Sequence, residues 1–193
     1  MFKLTIVLDI DETLIHSSGS IQDEENRDFF CLGYDVYKRP HLDTFLDFVF
    51  TNCHVGFFTS AEEDYANIIL KNILSKEQFE KTLFVHDRET CDIVVEDSFS
   101  IYNHGGANYK VYKNLKKVFR RSGVSRKRTI AIDDKPYSFS SSYSNCIPVK
   151  PFFPLRNGYN GDDELLRLID YITFLDKEEN VRVFDHRLWR ENT

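Results

Sequence analysis

Residues 4–13 read Leu4-Thr5-Ile6-Val7-Leu8-Asp9-Ile10-Asp11-Glu12-Thr13, an apolar run that stops at two aspartates one residue apart. The run predicts a buried β-strand. A strand alternates its side chains, so Asp9 and Asp11 leave its end on the same side. Two carboxylates converging at the carboxyl end of a buried strand suit a hard cation, and one of them can also attack phosphorus. In open α/β sheets that rim is where ligands bind.

Two further apolar strands end in polar groups. Val55-Gly56-Phe57-Phe58 runs into Thr59-Ser60, and Thr129-Ile130-Ala131-Ile132 runs into Asp133-Asp134. Additional strands are expected near 83–85, 93–95 and 147–149, with a turn at Gly105-Gly106. Helical patterns lie between them. Pro40 opens the first at a favoured first-turn position, with Leu42, Phe45, Leu46, Val49 and Phe50 on one stripe. Ser60 with Glu63 fits a capping box for the second, whose buried face is Tyr65, Ile68, Ile69 and Ile73. Val111, Leu115, Val118 and Phe119 predict a third that stops before Gly123. A last helix covers about 162–176, with Leu165, Leu166, Ile169 and Tyr171 available for packing.

Strands alternating with helices imply a parallel sheet with right-handed crossovers. The expected fold is α/β: a Rossmann-like parallel sheet flanked by helices. Residues 17–38, polar and then aromatic, predict a short β insertion after the first strand, with no full cap domain. No repeat, low-complexity tract or linker divides the chain. Residues 1–193 therefore read as a single domain ending in a helix and a charged tail.

Hydrophobic content of 41% and charge of 29% are ordinary for a soluble globular protein. No apolar run approaches the roughly 20 residues of a membrane span, and the first residues carry no signal-peptide pattern. Cys31, Cys53, Cys91 and Cys146 are scattered without a C-x-x-C pair, which disfavours metal-finger and redox readings and suits reduced thiols in an intracellular protein. A net charge of −6 argues against a general nucleic-acid binder. Residues 110–128 nevertheless hold nine Lys or Arg and no acid, which predicts either a solvated helix face or a patch facing an anionic substrate. The six histidines show no ligand spacing, and His16 alone falls near the predicted rim.

Three strand ends sharing one rim bring together what phosphoryl transfer requires. Asp9 is the natural nucleophile. Asp11 can protonate the leaving oxygen and then activate water. Thr59 and Ser60 offer hydroxyls and N–H groups to phosphate oxygens. Asp134 or Asp133 completes an oxygen shell for Mg²⁺, and a lysine beyond residue 109 would neutralise Asp9 and the phosphoryl group. Neither the insertion nor the stretch from Ser60 to Lys113 has the look of a lid, so the crevice suits a polypeptide: a phosphoserine or phosphothreonine protein. Phe29, Phe30, Tyr34 and Tyr37 are candidate peptide contacts or ordinary packing of the insertion. A nucleic-acid 3′-phosphatase, a non-catalytic binding or scaffold module and a small-metabolite phosphatase are the alternatives.

The sequence resembles the haloacid-dehalogenase superfamily of aspartate-nucleophile phosphatases, and within it the FCP/SCP group that acts on the RNA polymerase II C-terminal domain. The resemblance rests on the segments Leu8 to Ser17, Lys38 to Leu46, Phe58 to Ala61, Arg88 to Cys91, Lys113 to Leu115, Ile132 to Pro136, Asn145 to Val149 and Asp163 to Leu165. It implies Asp9 as nucleophile, Asp11 as acid/base and Thr59 as a phosphate ligand. Lys113 becomes the charge-neutralising lysine, with Lys110 the other registry. Asp134 becomes a Mg²⁺ ligand beside Asp9 and the Asp11 carbonyl, supported by Asp133. Arg88 would reach the phosphate or its peptide. It also implies a nuclear or cytoplasmic protein. Small members carry asparagine where this chain has Asp134, so the site gains a negative charge.

Overall fold

The structure is a computed structural model describing residues 3–19, 26–96, 108–154 and 161–191. The strands are β1 (Thr5–Leu8), β2 (Ile15–Ser18), β3 (Phe29–Cys31), β4 (Tyr34–Lys38), β5 (His54–Phe58), β6 (Val85–His86), β7 (Asp92–Glu96), β8 (Asn108–Tyr112), β9 (Thr129–Asp133) and β10 (Cys146–Pro148). The helices are α1 (Leu42–Asn52), α2 (Glu63–Ile73), α3 (Lys76–Lys81), α4 (Leu115–Ser122) and α5 (Glu164–Asp176).

A five-stranded sheet ordered β10-β9-β1-β5-β6 is parallel throughout. Strand β1 is at its centre and is buried along its whole length. Side chains alternate between two apolar layers. Ile6, Leu8, Val55, Phe57, Ile130 and Ile132 face the layer that holds α1, α2 and α5. Val7, Phe58 and Ala131 face Leu115 and Val118 of α4, with Phe139. Burial on both faces is why these strands read as unbroken apolar runs. At Gly56 the ring of Phe84 fills the place of a side chain: a Cβ there would stand 2.4 Å from it.

The insertion is a three-stranded antiparallel sheet ordered β2-β4-β3, beginning at Ile15. Leu32 and Gly33, both at positive φ, make its two-residue turn. Tyr37 is 1% exposed and belongs to the core rather than to a peptide-contact surface, and Phe29 packs against the same core. Phe30 and Tyr34 remain exposed. Behind the insertion, the buried Arg39 guanidinium takes Asp162 through both carboxylate oxygens and donates to the carbonyls of Thr13 and Lys150. It also lies 5.6 Å from the Phe152 ring centroid.

Several boundaries differ from the sequence expectation. The first helix begins at Leu42, with Pro40 ahead of it and His41 as a left-handed N-cap. Ser60 caps nothing: the Thr59 hydroxyl accepts the Ala61 N–H at 3.0 Å, the chain turns, and α2 starts at Glu63 with Glu62 as its N-cap. The reciprocal capping box belongs to Ser75 and Gln78 of α3, a helix the periodicity did not predict. The buried face of α2 is Ala66, Ile69, Leu70 and Ile73, with Tyr65 and Ile68 at its margin. Val111 lies on β8, paired with Ile93 of β7 in a hairpin, and α4 starts at Leu115 and ends at Gly123 with φ 64°. Gly105-Gly106 lies outside the described residues. The charged tail is a packed segment: Val181 and Trp189 are fully buried, and the indole donates to the Pro148 carbonyl at 2.8 Å. Among the described residues no helix is long and apolar enough to cross a membrane.

Candidate active site

The strand register decides which residues meet. Leu8 is paired with Phe57 on one side and Ile132 on the other, so Asp9, Thr59 and Asp133 leave neighbouring strand ends at one rim. Carboxylate oxygens of Asp9, Asp133 and Asp134 lie within 4.8 Å of one another. Lys113 enters this cluster from the end of β8, held by its own N–H on the Ser138 carbonyl. Its ammonium is 2.5 Å from Asp9 and 2.6 Å from Asp133, with all three side chains buried. Burial alone would discharge this lysine, but Asp9 and Asp133 outweigh it and hold the ammonium above the usual lysine range. Lys113 rather than Lys110 is therefore the lysine of the site; Lys110 is on β8 opposite Val94.

Asp133 has little left to offer an ion, because its other oxygen accepts the Lys135 N–H at 2.6 Å. Asp134 is different. Its Oδ1 is buried without a hydrogen-bond partner among the described residues, and burial followed by the Asp9 charge pushes its carboxyl up to about 7. An orphaned carboxylate oxygen beside the Asp9 carboxylate suits a small hard cation, which takes one or two carboxylates with water and phosphate oxygens. Mg²⁺ fits these residues.

Thr13 ties the first and last motifs together. Its hydroxyl accepts the Asp134 N–H at 3.1 Å and faces Asp9 Oδ2 at 3.5 Å. Glu12, at φ 57°, sits between His16 at 3.3 Å and Lys135 at 3.6 Å. Asp11 is raised to about 6, by burial first and then by Asp9 and Glu12, against a hydrogen bond from Tyr65 that pulls it down. That bond measures 2.6 Å. Thr13, Lys135 and Tyr65 were not singled out from the sequence. The sequence places Tyr65 on the buried stripe of the second helix, and a tyrosine at a stripe margin next to a strand-end acid is the signal that could mark it.

Thr59 is buried on its rim position, whereas Ser60 is exposed. Arg88 sits on a short 3-10 turn whose N–H is bonded to the Ala61 carbonyl, but its guanidinium rests on Tyr109, 5.9 Å from the ring centroid. The basic run begins at Lys110 on β8, passes Lys113 on the rim and reaches Arg128, the residue before β9, so beyond Lys113 it travels from the carboxyl edge of the sheet to the amino edge. Lys117 and Arg128 are engaged by Asp92 and Asp176. Most of the run is thus directed away from the carboxylates.

A parallel sheet of this order, with three acids and a lysine at its carboxyl rim, has the haloacid-dehalogenase-like fold. Residues 4–182 match the NLI interacting factor-like phosphatase family, and the chain belongs to that family. The CTD phosphatase-like protein 355R of Invertebrate iridescent virus 6 is 31% identical over 86% of this chain and 96% of its own length. The human CTD small phosphatase-like protein is 29% identical over 96% of this chain and 61% of its own. Fission yeast Fcp1, an RNA polymerase II CTD phosphatase solved with beryllium fluoride, superposes with a TM-score of 0.55 at 18% identity, over 91% of this chain and 51% of that one. The chain thus spans nearly all of the viral relative and about half of the Fcp1 chain.

Proposed function

We propose that this chain is a Mg²⁺-dependent phosphatase that removes phosphate from phosphoserine or phosphothreonine in a protein substrate of the RNA polymerase II C-terminal-domain type. The observation that carries this reading is Lys113 bridging Asp9 and Asp133 at the rim, beside the unsatisfied oxygen of Asp134.

An Asp9 oxygen attacks phosphorus, and the ester P–O bond breaks with its electron pair on the leaving oxygen. Asp11 gives that oxygen its proton. Asp11 then takes a proton from water, whose oxygen attacks the aspartyl-phosphate and frees Asp9 and inorganic phosphate. Lys113 pairs with the Asp9 carboxylate and opposes the charge gathered on phosphorus. Asp9, Asp134 and the Asp11 carbonyl would hold Mg²⁺, which would supply positive charge to the phosphate oxygens, and Asp133 fixes Lys113 beside Asp9. Thr59 and Ser60 contact phosphate, and Arg88 with the exposed Phe30 and Tyr34 meets the peptide. The family match and the intact set of acids favour catalysis over a scaffold role, and the course of the basic run disfavours a nucleic-acid 3′-phosphatase.

Asp9→Asn is expected to abolish Mg²⁺-dependent release of phosphate from p-nitrophenyl phosphate and from a phosphoserine peptide, with the melting curve of a folded protein. Turnover surviving in that variant would remove Asp9 as nucleophile.

A further inference from the structure

Tyr65 joins the two halves of the molecule at the site. It stands in the first turn of α2, its hydroxyl 2.6 Å from Asp11 Oδ1 and 2.6 Å from the Ser17 hydroxyl on β2 of the insertion. Packing does not require that hydroxyl. The buried face of α2 is made by Ala66, Ile69, Leu70 and Ile73, and the Tyr65 ring is only partly covered, edge-on to Tyr34. Among the described residues Tyr65 is the one side chain that donates to Asp11. A phenol with an ordinary pKa of about 10 is protonated throughout the working range. Facing a carboxylate it can only donate, which leaves its own oxygen to accept from Ser17.

We infer that Tyr65 is a positioning residue for the acid/base: the chain Ser17 to Tyr65 to Asp11 occupies Oδ1, so the proton that Asp11 transfers is carried on Oδ2. This rests on the function proposed above. In the first step the Oδ2–H bond breaks as the proton passes to the ester oxygen, while the P–O electron pair moves onto that oxygen. The negative charge left on the carboxylate is met at Oδ1 by the Tyr65 O–H. In the second step Oδ2 receives the proton of water, and the same hydrogen bond holds the carboxyl in place between the two. Because Ser17 belongs to the insertion and Tyr65 to the core, the orientation of the acid depends on how the insertion sheet seats.

The test is steady-state kinetics of Tyr65→Phe on two esters. A phosphoserine peptide has a poor leaving group that needs the proton, whereas p-nitrophenyl phosphate does not. With the peptide kcat is expected to fall about 10- to 100-fold, the kinetic weight of one hydrogen bond to a charged group. KM should stay within about twofold, and the loss on p-nitrophenyl phosphate should be several times smaller. Tyr65→Phe combined with Asp11→Asn should be no slower than Asp11→Asn alone, since both act at one step. Ser17→Ala leaves the ring in place and should move the same ratio in the same direction by less, which keeps the test open if Tyr65→Phe folds poorly. Equal losses on both esters, additive losses in the double variant, or a raised KM with kcat intact would each overturn the inference. Asp9→Asn run alongside separates the two ideas: turnover there overturns the proposed mechanism, whereas its absence with an unchanged ester ratio in Tyr65→Phe and Ser17→Ala overturns only the role of Tyr65.

Discussion

Lys113 carries more of the site than any other single residue. It is buried between Asp9 and Asp133, so deleting its charge leaves two carboxylates facing each other away from water. Breaking a buried pair by removing one partner costs roughly 3–5 kcal/mol. Lys113→Met is accordingly expected to lose stability of that order in urea denaturation, together with phosphatase activity; a loss below about 1 kcal/mol would show that the two buried ion pairs contribute little to the fold. Asp11→Asn should behave differently, keeping the fold and slowing hydrolysis of a phosphoserine peptide by roughly 10²- to 10⁴-fold, the usual weight of general acid–base catalysis. At this scale the sequence was informative where chemistry is local. Asp9, Asp11 and Asp134 follow strand ends and can be read one strand at a time. Choosing Lys113 over Lys110 needed the hairpin β7–β8, because the strand fixes where β8 stops and which lysine clears it. Tyr65 left only a faint trace, its place at a stripe margin, since an aromatic on an apolar stripe looks much the same whether or not its hydroxyl reaches an acid.

Among the elements, β1, β5 and β9 were legible because a strand buried on both faces must be apolar at every position. Of the hairpin only β7 was legible, as the strand near 93–95; β8 was not, because Val111 also fits the apolar stripe of the helix that follows, and the exposed Ile93, Val94 and Val95 give no burial pattern to pair it with. Ser60 and Glu63 had the spacing of a cap, yet the Thr59 hydroxyl had already claimed the Ala61 N–H and delayed the helix. Long-range polar contacts leave still less trace. Arg39 looks in sequence like an ordinary basic residue before a helix, but it binds Asp162, 123 positions away, with its side chain fully buried. It fastens the exit of the insertion to the Thr13 loop and to the segment leading into α5. Arg39→Met is expected to cost about 3–5 kcal/mol, chiefly because Asp162 and two carbonyls lose their donor. Guanidinium or urea melts read that cost, and a near-neutral result would mean that the clamp contributes little beyond its packing on Phe152.

Across the whole molecule, charge at the rim couples stability to pH and to metal. Burial, then neighbouring acids, raises Asp11 to about 6 and Asp134 to about 7, from ordinary values of 3.8. A carboxyl whose folded pKa lies above its unfolded value stabilises the fold while protonated. That contribution is full below the unfolded pKa and is lost as pH rises through the folded one. In EDTA the melting temperature should therefore carry a downward contribution between about pH 4 and 7 that Asp134→Asn reduces. Added Mg²⁺ should raise the melting temperature more at pH 8 than at pH 5. Identical pH profiles for the two proteins in EDTA would count against the buried acid. The sheet order also governs synthesis. As the chain leaves the ribosome, Asp9, Asp11 and Thr59 emerge early, yet β1 has no partner on its other side until β9 is made. A nascent polypeptide halted at residue 128 would possess the nucleophile but neither Asp133 nor Asp134, leaving Lys113 with half of its counter-charge. Synthesis must run past residue 134 before the rim can hold its full set of acids.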